Sequence, residues 1–144
     1  MPDFSRLPEF AAETIGWPFR LGGRGGRGVD CWGLVLHLMA RCGLDLPDFG
    51  SPKDWGTRAE AIIAKWQAYS IEVPVSEVRC GDALFFLACG ATGPNHIAVA
   101  IDRKRMVQAT QALGVHIAPI QQHPLSPLKL WAAVRARADL ENVA

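Results

Sequence analysis

The chain lacks a charge excess of either sign, and it lacks a long apolar run. Its 144 residues include 15 Lys and Arg against 14 Asp and Glu, which gives a formal net charge of +1. Proteins that bind nucleic acid through its phosphates usually carry a clear basic excess, so this balance argues against a nucleic-acid partner. No apolar run approaches the roughly 18 residues that cross a bilayer, so no transmembrane segment is expected.

The first residues also lack the pattern of a secretion signal. Acidic residues and prolines stand where a signal peptide needs a basic start and an apolar stretch. The sequence therefore predicts a product that is made and folded in the cytoplasm, unless a parent protein or a larger assembly carries it elsewhere.

Motifs for metal or cofactor chemistry are scarce. The four cysteines form no Cys-x-x-Cys pair, and a domain with 49% hydrophobic residues does not need disulfides, so all four are expected to be reduced. A zinc site built from Cys80, Cys89 and His96 would match no usual spacing. The chain has no His-Glu-x-x-His, P-loop lysine or Gly-x-Ser-x-Gly motif. We therefore expect no metal and no cofactor.

The length and apolar content that are present suit one domain over residues 1–144. Helical spacing of apolar residues predicts a first helix over Phe4–Ile15. Asp30 is a preferred N-cap and predicts a second helix that starts at Cys31 and is closed by Gly43. A capping-box spacing at Thr57 predicts a third helix.

Strands are predicted in the second half of the chain. Short apolar runs recur there at Ala83–Leu87, His96–Ile101, Met106–Ala109, Val115–Ile117 and Leu130–Val134. Their spacing favours an antiparallel meander, although Trp131–Ala138 could also form a helix. Helices followed by strands indicate an α+β fold, with helices packed on one side of an antiparallel sheet. Val73–Val78 is interpreted as a connector and Gly22–Gly28 as a loop.

The clearest chemical signal is Cys31, in the first turn of the second predicted helix. Unpaired backbone amides and the positive end of the helix dipole favour a thiolate there, which would lower the pKa of this thiol and make it a nucleophile. The alternative is that Cys31 is a small buried hydrophobic residue.

A thiolate nucleophile works best beside an imidazole that can take and return a proton. His96 opens a predicted strand and so stands at the rim of the sheet, where a side chain is held rigidly yet remains accessible. His37 falls on another face of the Cys31 helix, and His123 lies in a loop-like stretch. We expect both to be surface residues without a catalytic role.

Four segments resemble, in order and spacing, the successive motifs of the NlpC-type cell-wall cysteine peptidases. They are Asp30–Val35 (DCWGLV), Gly81–Phe86 (GDALFF), His96–Ile101 (HIAVAI) and Met106–Ala109 (MVQA). The resemblance extends from about Gly16 to Val134 and implies a papain-like α+β fold with the nucleophile at a helix N-terminus. It implies that the enzyme cleaves an amide bond in peptidoglycan stem peptides, commonly between D-glutamate and the diamino acid.

The resemblance also implies roles for individual residues. Cys31 matches the nucleophile and His96 the general base, which later acts as an acid. Gln108 matches the polar residue that orients the imidazole; a side-chain carbonyl there can accept the hydrogen of the distal ring nitrogen. His116 is a rival for that orienting role.

Phe19, Asp30 and Trp32 match the substrate-binding and oxyanion region of the family. Many members carry a tyrosine where this chain has Phe19. Where a tyrosine hydroxyl stabilises the oxyanion, its loss would cost roughly 10²–10³ in rate. The backbone amide of Cys31 can still serve.

Two segments resemble the phage-tail branch of the family: Asp-Cys-Trp-Gly at 30–33, where many secreted members have Asp-Cys-Ser-Gly, and the stretch Gly43–Phe49. The missing secretion signal fits the same branch. This resemblance implies phage tail-tip or hub proteins as partners and a place in a virion or tail-like particle, including gene transfer agents. The protein would be made in the bacterial cytoplasm and act at the cell wall or in the periplasm.

Three alternatives stay open. The run Gly23–Gly28 matches Gly-x-Gly-x-x-Gly with Asp48 twenty residues beyond, but a dinucleotide site also needs a βαβ unit. A structural tail-tip module could keep the peptidase fold with little activity, and Phe19 favours this. The same machinery could also run acyl transfer or cleave a protein partner during assembly.

Overall fold

The computed structural model describes residues 2–50, 68–88 and 93–136, together with positions 61, 64 and 66. Its helices are α1 (Leu7–Thr14), α2 (Cys31–Arg41) and a 3₁₀ helix (Val75–Glu77). Its strands are β1 (Arg24–Gly25), β2 (Gly28–Val29), β3 (Ser70–Val73), β4 (Ala83–Leu87), β5 (His96–Ala100), β6 (Arg105–Thr110), β7 (Gly114–Pro119) and β8 (Lys129–Ala136). No helix within these ranges is long and apolar enough to span a membrane.

Six of the strands form one antiparallel sheet in the order β3-β8-β4-β5-β6-β7. The predicted meander is present from β4 to β7. The chain then returns across the sheet, and β8 pairs with β4 on one side and β3 on the other. Helix α2 packs on this sheet over β5 and β6, and α1 packs on α2. The predicted α+β fold class is therefore confirmed.

The two faces of the sheet carry separate apolar layers, because successive side chains of a strand point to opposite faces. Ile97 and Val107 belong to the layer that packs against α2. Ala98 and Met106 belong to the layer on the opposite face, with Ile120 from the β7–β8 connection. Because of this alternation, His96 lies on the same face of the sheet as Ala98, and Gln108 lies on the same face as Met106.

The helices follow from local sequence signals. Helix α1 begins at Leu7, three residues later than predicted, with Pro8 in the first turn, where a missing amide hydrogen costs no helical hydrogen bond. Helix α2 begins after Asp30 as predicted. Gly43 follows it with a φ of 91°, a conformation that favours glycine.

The predicted loop and the predicted connector need correction, whereas the strand predicted over Leu130–Val134 is confirmed by β8. Gly22–Gly28 is not only a loop, because β1 and β2 pair in a short antiparallel hairpin. A side chain at Gly23 would overlap the carbonyl of Gly28, so these glycines permit the close pairing. Val73–Val78 contains the end of β3 and the 3₁₀ helix, and β8 excludes a helix over 131–136.

The third predicted helix falls largely outside the described residues. Ala61, Ala64 and Trp66 are helical, and the indole of Trp66 packs edge-on against Trp32 at 4.9 Å between ring centroids. Its predicted start at Thr57 is not described.

Candidate active site

Cys31 is the first residue of α2, and the residue before it caps the helix. Asp30 has an extended backbone, and its Oδ1 accepts a hydrogen bond of 2.7 Å from the amide of Gly33. This satisfies one of the amides that a helix N-terminus leaves unpaired. The predicted N-cap is confirmed, and it fixes the turn that carries Cys31.

The carboxylate of Asp30 also anchors the glycine hairpin to the helix. Asp30 is fully buried, and its Oδ2 accepts from the amide of Gly22 at 2.9 Å. Arg24 Nη1 donates to Asp30 Oδ1 at 2.8 Å, while Arg24 Nε donates to Asp48 at 2.8 Å. A buried carboxylate needs such partners, because an unpaired charge away from water is costly. Arg24 and Asp48 were not predicted as site residues.

Gly33 is required by the same packing. A Cβ at this position would overlap the carbonyl oxygen of Gly23 and crowd Arg24 and Asp30. The third residue after the N-cap therefore has to be glycine so that the hairpin can lie on the first turn of α2.

The environment of Cys31 contradicts the expectation of a low thiol pKa. Cys31 is 4% exposed, and this burial raises the pKa of its thiol to about 12. Hydrogen bonds from the backbone amides of Ile97, Trp32 and Cys31 lower it, but by less than burial raises it. The sequence indicated the helix amides, which stabilise a thiolate, but not the burial of the sulfur, which disfavours the charged thiolate. Desolvation therefore favours the neutral thiol over the thiolate at Cys31.

The amide of Ile97 at the Cys31 sulfur also locates this thiol relative to the sheet. Ile97 follows His96 directly in β5, so the thiol lies beside the strand end that carries the candidate base.

His96 and Gln108 are in direct contact. The Nε2 of His96 lies 2.8 Å from Oε1 of Gln108, and because an amide oxygen can only accept, His96 Nε2–H is the donor. Gln108 is 6% exposed. With Nε2 engaged, Nδ1 is the ring nitrogen left to exchange a proton with a thiol.

His116 lies behind Gln108 rather than beside His96. It pairs with Gln108 across the β6–β7 ladder, and Gln108 Nε2 lies 3.2 Å from His116 Nε2. The sequence held a signal for this arrangement. The hairpin closes at Thr110 and Gly114, so residues two positions back on each strand must face each other.

The three residues expected in the substrate and oxyanion region differ in accessibility. Phe19 is half-buried and forms an isolated bridge with Val29. Trp32 has no exposed surface and stacks on Phe49 at 5.8 Å between centroids, and Asp30 is buried as the N-cap. The side chains of Asp30 and Trp32 are enclosed by protein and support the first turn of α2. Their assignment to the substrate and oxyanion region stays a prediction.

The other histidines lie apart from this cluster. His37 is half-buried against the ring of Trp17, with 4.9 Å between centroids, rather than a surface residue as expected. His123 is exposed. Its Nδ1 accepts from the amide of Leu125.

The dinucleotide and zinc alternatives find no support in the described ranges. The glycine run forms an antiparallel hairpin instead of a strand-to-helix turn, and Asp48 is engaged by Arg24. Cys80 donates to the carbonyl of Phe4 at 3.5 Å, and Cys89 lies outside the described residues. Within the described part of the chain, no three His, Cys, Asp or Glu side chains are grouped to hold a metal.

A groove of about 760 Å³ lies away from these residues. The β7–β8 connection from Pro119 to Pro124 lines one side, and Arg103, Lys104 and Lys129 contribute positive charge. It contains neither Cys31 nor His96, so its volume does not bear on the candidate chemistry.

Comparison with known proteins identifies the family. A model described as the NlpC/P60 family matches residues 16–134, which is most of the chain. The chain belongs to the NlpC/P60 family.

Two curated relatives carry names that refer to peptidoglycan. This NlpC/P60 chain is 30% identical over 107 residues to peptidoglycan endopeptidase RipA of Mycobacterium tuberculosis, covering 73% of the chain and 19% of RipA. It is 30% identical over 119 residues to murein DD-endopeptidase MepS/murein LD-carboxypeptidase of Escherichia coli, covering 82% of the chain and 55% of that relative. The chain thus spans about a fifth of one relative and about half of the other.

Solved structures share the fold. An NlpC/P60 family protein from Bacillus cereus superposes with a TM-score of 0.71 at 21% identity, covering 94% of this chain and 40% of that one. RipD of M. tuberculosis, described as a non-catalytic NlpC/p60 domain protein adapted to peptidoglycan binding, has a TM-score of 0.63 at 20% identity over 94% and 96% of the two chains. The fold alone therefore does not decide between hydrolysis and binding.

Proposed function

We propose that this NlpC/P60 domain is a cysteine peptidase that hydrolyses an amide bond of peptidoglycan stem peptides. One observation carries the proposal: the thiol of Cys31 lies beside the β5 residue that follows His96, and His96 Nε2 is held by Gln108 at 2.8 Å. These contacts support a nucleophile, a base and an orienting group at one end of the sheet, which is the arrangement that thiol catalysis requires.

In acylation, the thiol proton of Cys31 passes to Nδ1 of His96. Because burial makes a lone thiolate unfavourable, this proton leaves as the sulfur attacks the carbonyl carbon. The backbone amide of Cys31 stabilises the oxyanion of the tetrahedral intermediate. Collapse of that intermediate breaks the carbon–nitrogen bond, and His96 returns the proton to the departing amine, leaving a thioester on Cys31.

Deacylation uses the same groups with water as the nucleophile. Nδ1 of His96 takes a proton from water, and the hydroxide adds to the thioester carbonyl. The carbon–sulfur bond then breaks, His96 returns the proton to the sulfur, and the carboxylic acid product leaves. Gln108 keeps the ring in one orientation throughout, without adding charge.

The substrate class follows from the relatives and from the resemblance of the motifs. RipA and MepS are both named as peptidoglycan or murein endopeptidases. We propose the bond between the γ-carboxyl of D-glutamate and the diamino acid as the target. MepS is named for different bonds, DD and LD. The proposed specificity therefore has to be read from product masses.

We further propose that the domain acts as a component of a phage tail or tail-like particle that aids cell-wall penetration. The support is the resemblance of Asp30–Gly33 and of the stretch Gly43–Phe49 to the phage-tail branch. Tail-tip or hub proteins are the partners this role requires, and the cell wall or periplasm is its place of action.

The test is mass spectrometry of purified muropeptides after incubation with the wild-type chain, Cys31→Ala and Cys42→Ala. Cys42 is also buried, but it caps the C-terminal end of α2, at the opposite end from Cys31, so it is a matched control. We expect fragments from the wild type and Cys42→Ala only, with masses that name the bond. Cleavage by Cys31→Ala at the wild-type rate would contradict the proposal.

A second candidate is a domain that binds peptidoglycan, or builds the tail tip, without cleaving. The observation that favours it is Phe19, which cannot donate the hydrogen bond that a tyrosine hydroxyl supplies. Absence of cleavage across several peptidoglycan types, together with retained binding to intact sacculi, would establish this alternative.

A further inference from the structure

A directed chain of hydrogen bonds runs from His96 through two further side chains to the backbone. His96 Nε2 meets Gln108 Oε1 at 2.8 Å, Gln108 Nε2 meets His116 Nε2 at 3.2 Å, and His116 Nδ1 meets the carbonyl oxygen of Gly114 at 2.9 Å. Three strands contribute one side chain each, and the last link is a main-chain acceptor.

The direction of every link follows from that final acceptor. A carbonyl oxygen can only accept, so His116 carries its hydrogen on Nδ1, and its neutral Nε2 accepts. An amide nitrogen can only donate, so Gln108 points its nitrogen at His116 and its oxygen at His96. His96 must then carry its hydrogen on Nε2, which leaves a lone pair on Nδ1.

We propose that His116 is a positioning residue that fixes the orientation of the Gln108 amide and thereby selects the tautomer of His96. This inference rests on the proposed function, since the selected tautomer is the one in which Nδ1 can take the Cys31 proton. The side chain of His116 bonds to Gln108 and to the carbonyl of Gly114, so it acts on His96 through Gln108.

A glutamine in this place needs such a partner because its two ends are nearly the same shape. If the Gln108 amide turned over, its nitrogen would face His96 and demand an acceptor at Nε2. His96 would then carry its hydrogen on Nδ1 and could not accept a proton from the thiol. Holding an imidazole in the wrong tautomer lowers turnover by about 10⁴-fold in serine peptidases.

The burial of Gln108 strengthens the preference for one orientation of its amide. Gln108 is 6% exposed and sits between His96 and His116, so solvent has little access to replace a lost partner. Gln108 and His116 are also direct partners in the pairing of β6 with β7, so the backbone holds their two side chains next to each other. The register of β6 and β7 is therefore part of the site.

The inference is tested by ¹⁵N NMR of histidine-labelled protein in a Cys31→Ala background, where no thiol proton reaches His96. His96 is expected to show a single tautomer with hydrogen on Nε2. His116→Phe keeps a ring but removes the acceptor, and we expect it to give a mixture of His96 tautomers. His123→Phe, at an exposed histidine, is the matched control and should leave the His96 signals unchanged.

A second background separates positioning from general damage. Glu in place of Gln108 has two oxygens and no donor end, so Gln108→Glu should hold Nε2–H of His96 whichever way it turns. We expect His116→Phe to have no effect on the His96 tautomer in the Gln108→Glu background. If His116→Phe does not fold, His116→Val, a residue suited to an edge strand, carries the same test.

With Cys31 restored, kcat of His116→Phe should fall in proportion to the fraction of His96 that has lost the Nε2–H tautomer, with KM unchanged. A single His96 tautomer and unchanged kcat in His116→Phe would overturn the inference. The NMR measurement needs no substrate. If the wild-type protein is inactive but His96 has a single tautomer, the proposed peptidase activity is contradicted and the role of the hydrogen-bond chain is retained.

Discussion

Oε1 of Gln108 lies 2.8 Å from Nε2 of His96, although the two residues belong to neighbouring strands and are twelve positions apart. The contact engages Nε2 of the imidazole, and the proposed mechanism uses Nδ1. It ties the proposed activity to the register of β5 and β6, so the site depends on strands that are themselves buried against α2.

The contact predicts the effect of shortening Gln108. Gln108→Ala should lower kcat by about 10²-fold, at the low end of the contribution of acid–base catalysis, because the imidazole remains but loses its orientation. Gln108→His should retain part of the rate, since a ring nitrogen can still accept from His96. Turnover of muropeptides is the measurement, with urea unfolding to show that the fold persists. Wild-type kcat in Gln108→Ala would show that the orienting group lies elsewhere.

Gly33 provides a prediction about the support of Cys31. Gly33→Ala places a methyl group against the carbonyl of Gly23, so it should destabilise the protein by about 1–3 kcal/mol and reduce activity as the hairpin lifts from α2. Gly25→Ala is the matched control, because a Cβ there meets nothing within 4 Å. The free energy of unfolding in urea checks both variants. Equal stability of the two would contradict the close packing of hairpin and helix.

Burial of Cys31 predicts its pH dependence. With the thiol pKa raised to about 12, the thiolate fraction should grow about tenfold per pH unit between neutral and mildly alkaline pH. The rate of alkylation by iodoacetamide should therefore rise through this range without a plateau. Peptide mapping assigns the label, with Cys31→Ala as reference. A plateau at or below neutral pH would mean that an ion pair with His96 outweighs desolvation.

Replacing Phe19 by tyrosine is expected to raise kcat rather than lower it. If the missing hydroxyl is what limits the oxyanion site, Phe19→Tyr should raise kcat, by up to about 10²-fold, the effect of one such donor. Phe4→Tyr is the control, because Phe4 packs beside Gly81 at the end of the sheet away from His96. An unchanged kcat in Phe19→Tyr would mean that the backbone amides already suffice.

Local signals in the sequence were enough for α1, α2 and the middle of the sheet. The Asp30 cap, the apolar stripe of α2 and the short apolar runs of β4 to β7 each depend on neighbouring residues. The position of β8 between β3 and β4 depends on pairs of residues that lie between 42 and 66 positions apart, and no local pattern encodes it. The glycine hairpin was missed because its strands are two residues long and contain no β-forming side chain except Val29.

The candidate site divides in the same way. The resemblance of motifs identified Cys31, His96 and Gln108 as candidates, and the structure places His96 and Gln108 in contact. The expectation of a lowered thiol pKa at Cys31 was wrong, because desolvation depends on all the residues that pack over the helix terminus. The second layer, in which Arg24 joins Asp30 to Asp48 and His116 backs Gln108, follows from tertiary packing and strand register.

The claim that Cys31 is the nucleophile is tested most directly by trapping the acyl-enzyme. Wild-type protein is mixed with muropeptides, quenched in acid during turnover, digested with pepsin and examined by mass spectrometry. We expect a stem-peptide acyl group on the peptide that contains Cys31, and none in Cys31→Ala. Product formation with no adduct on Cys31, or with the adduct on another cysteine, would contradict it.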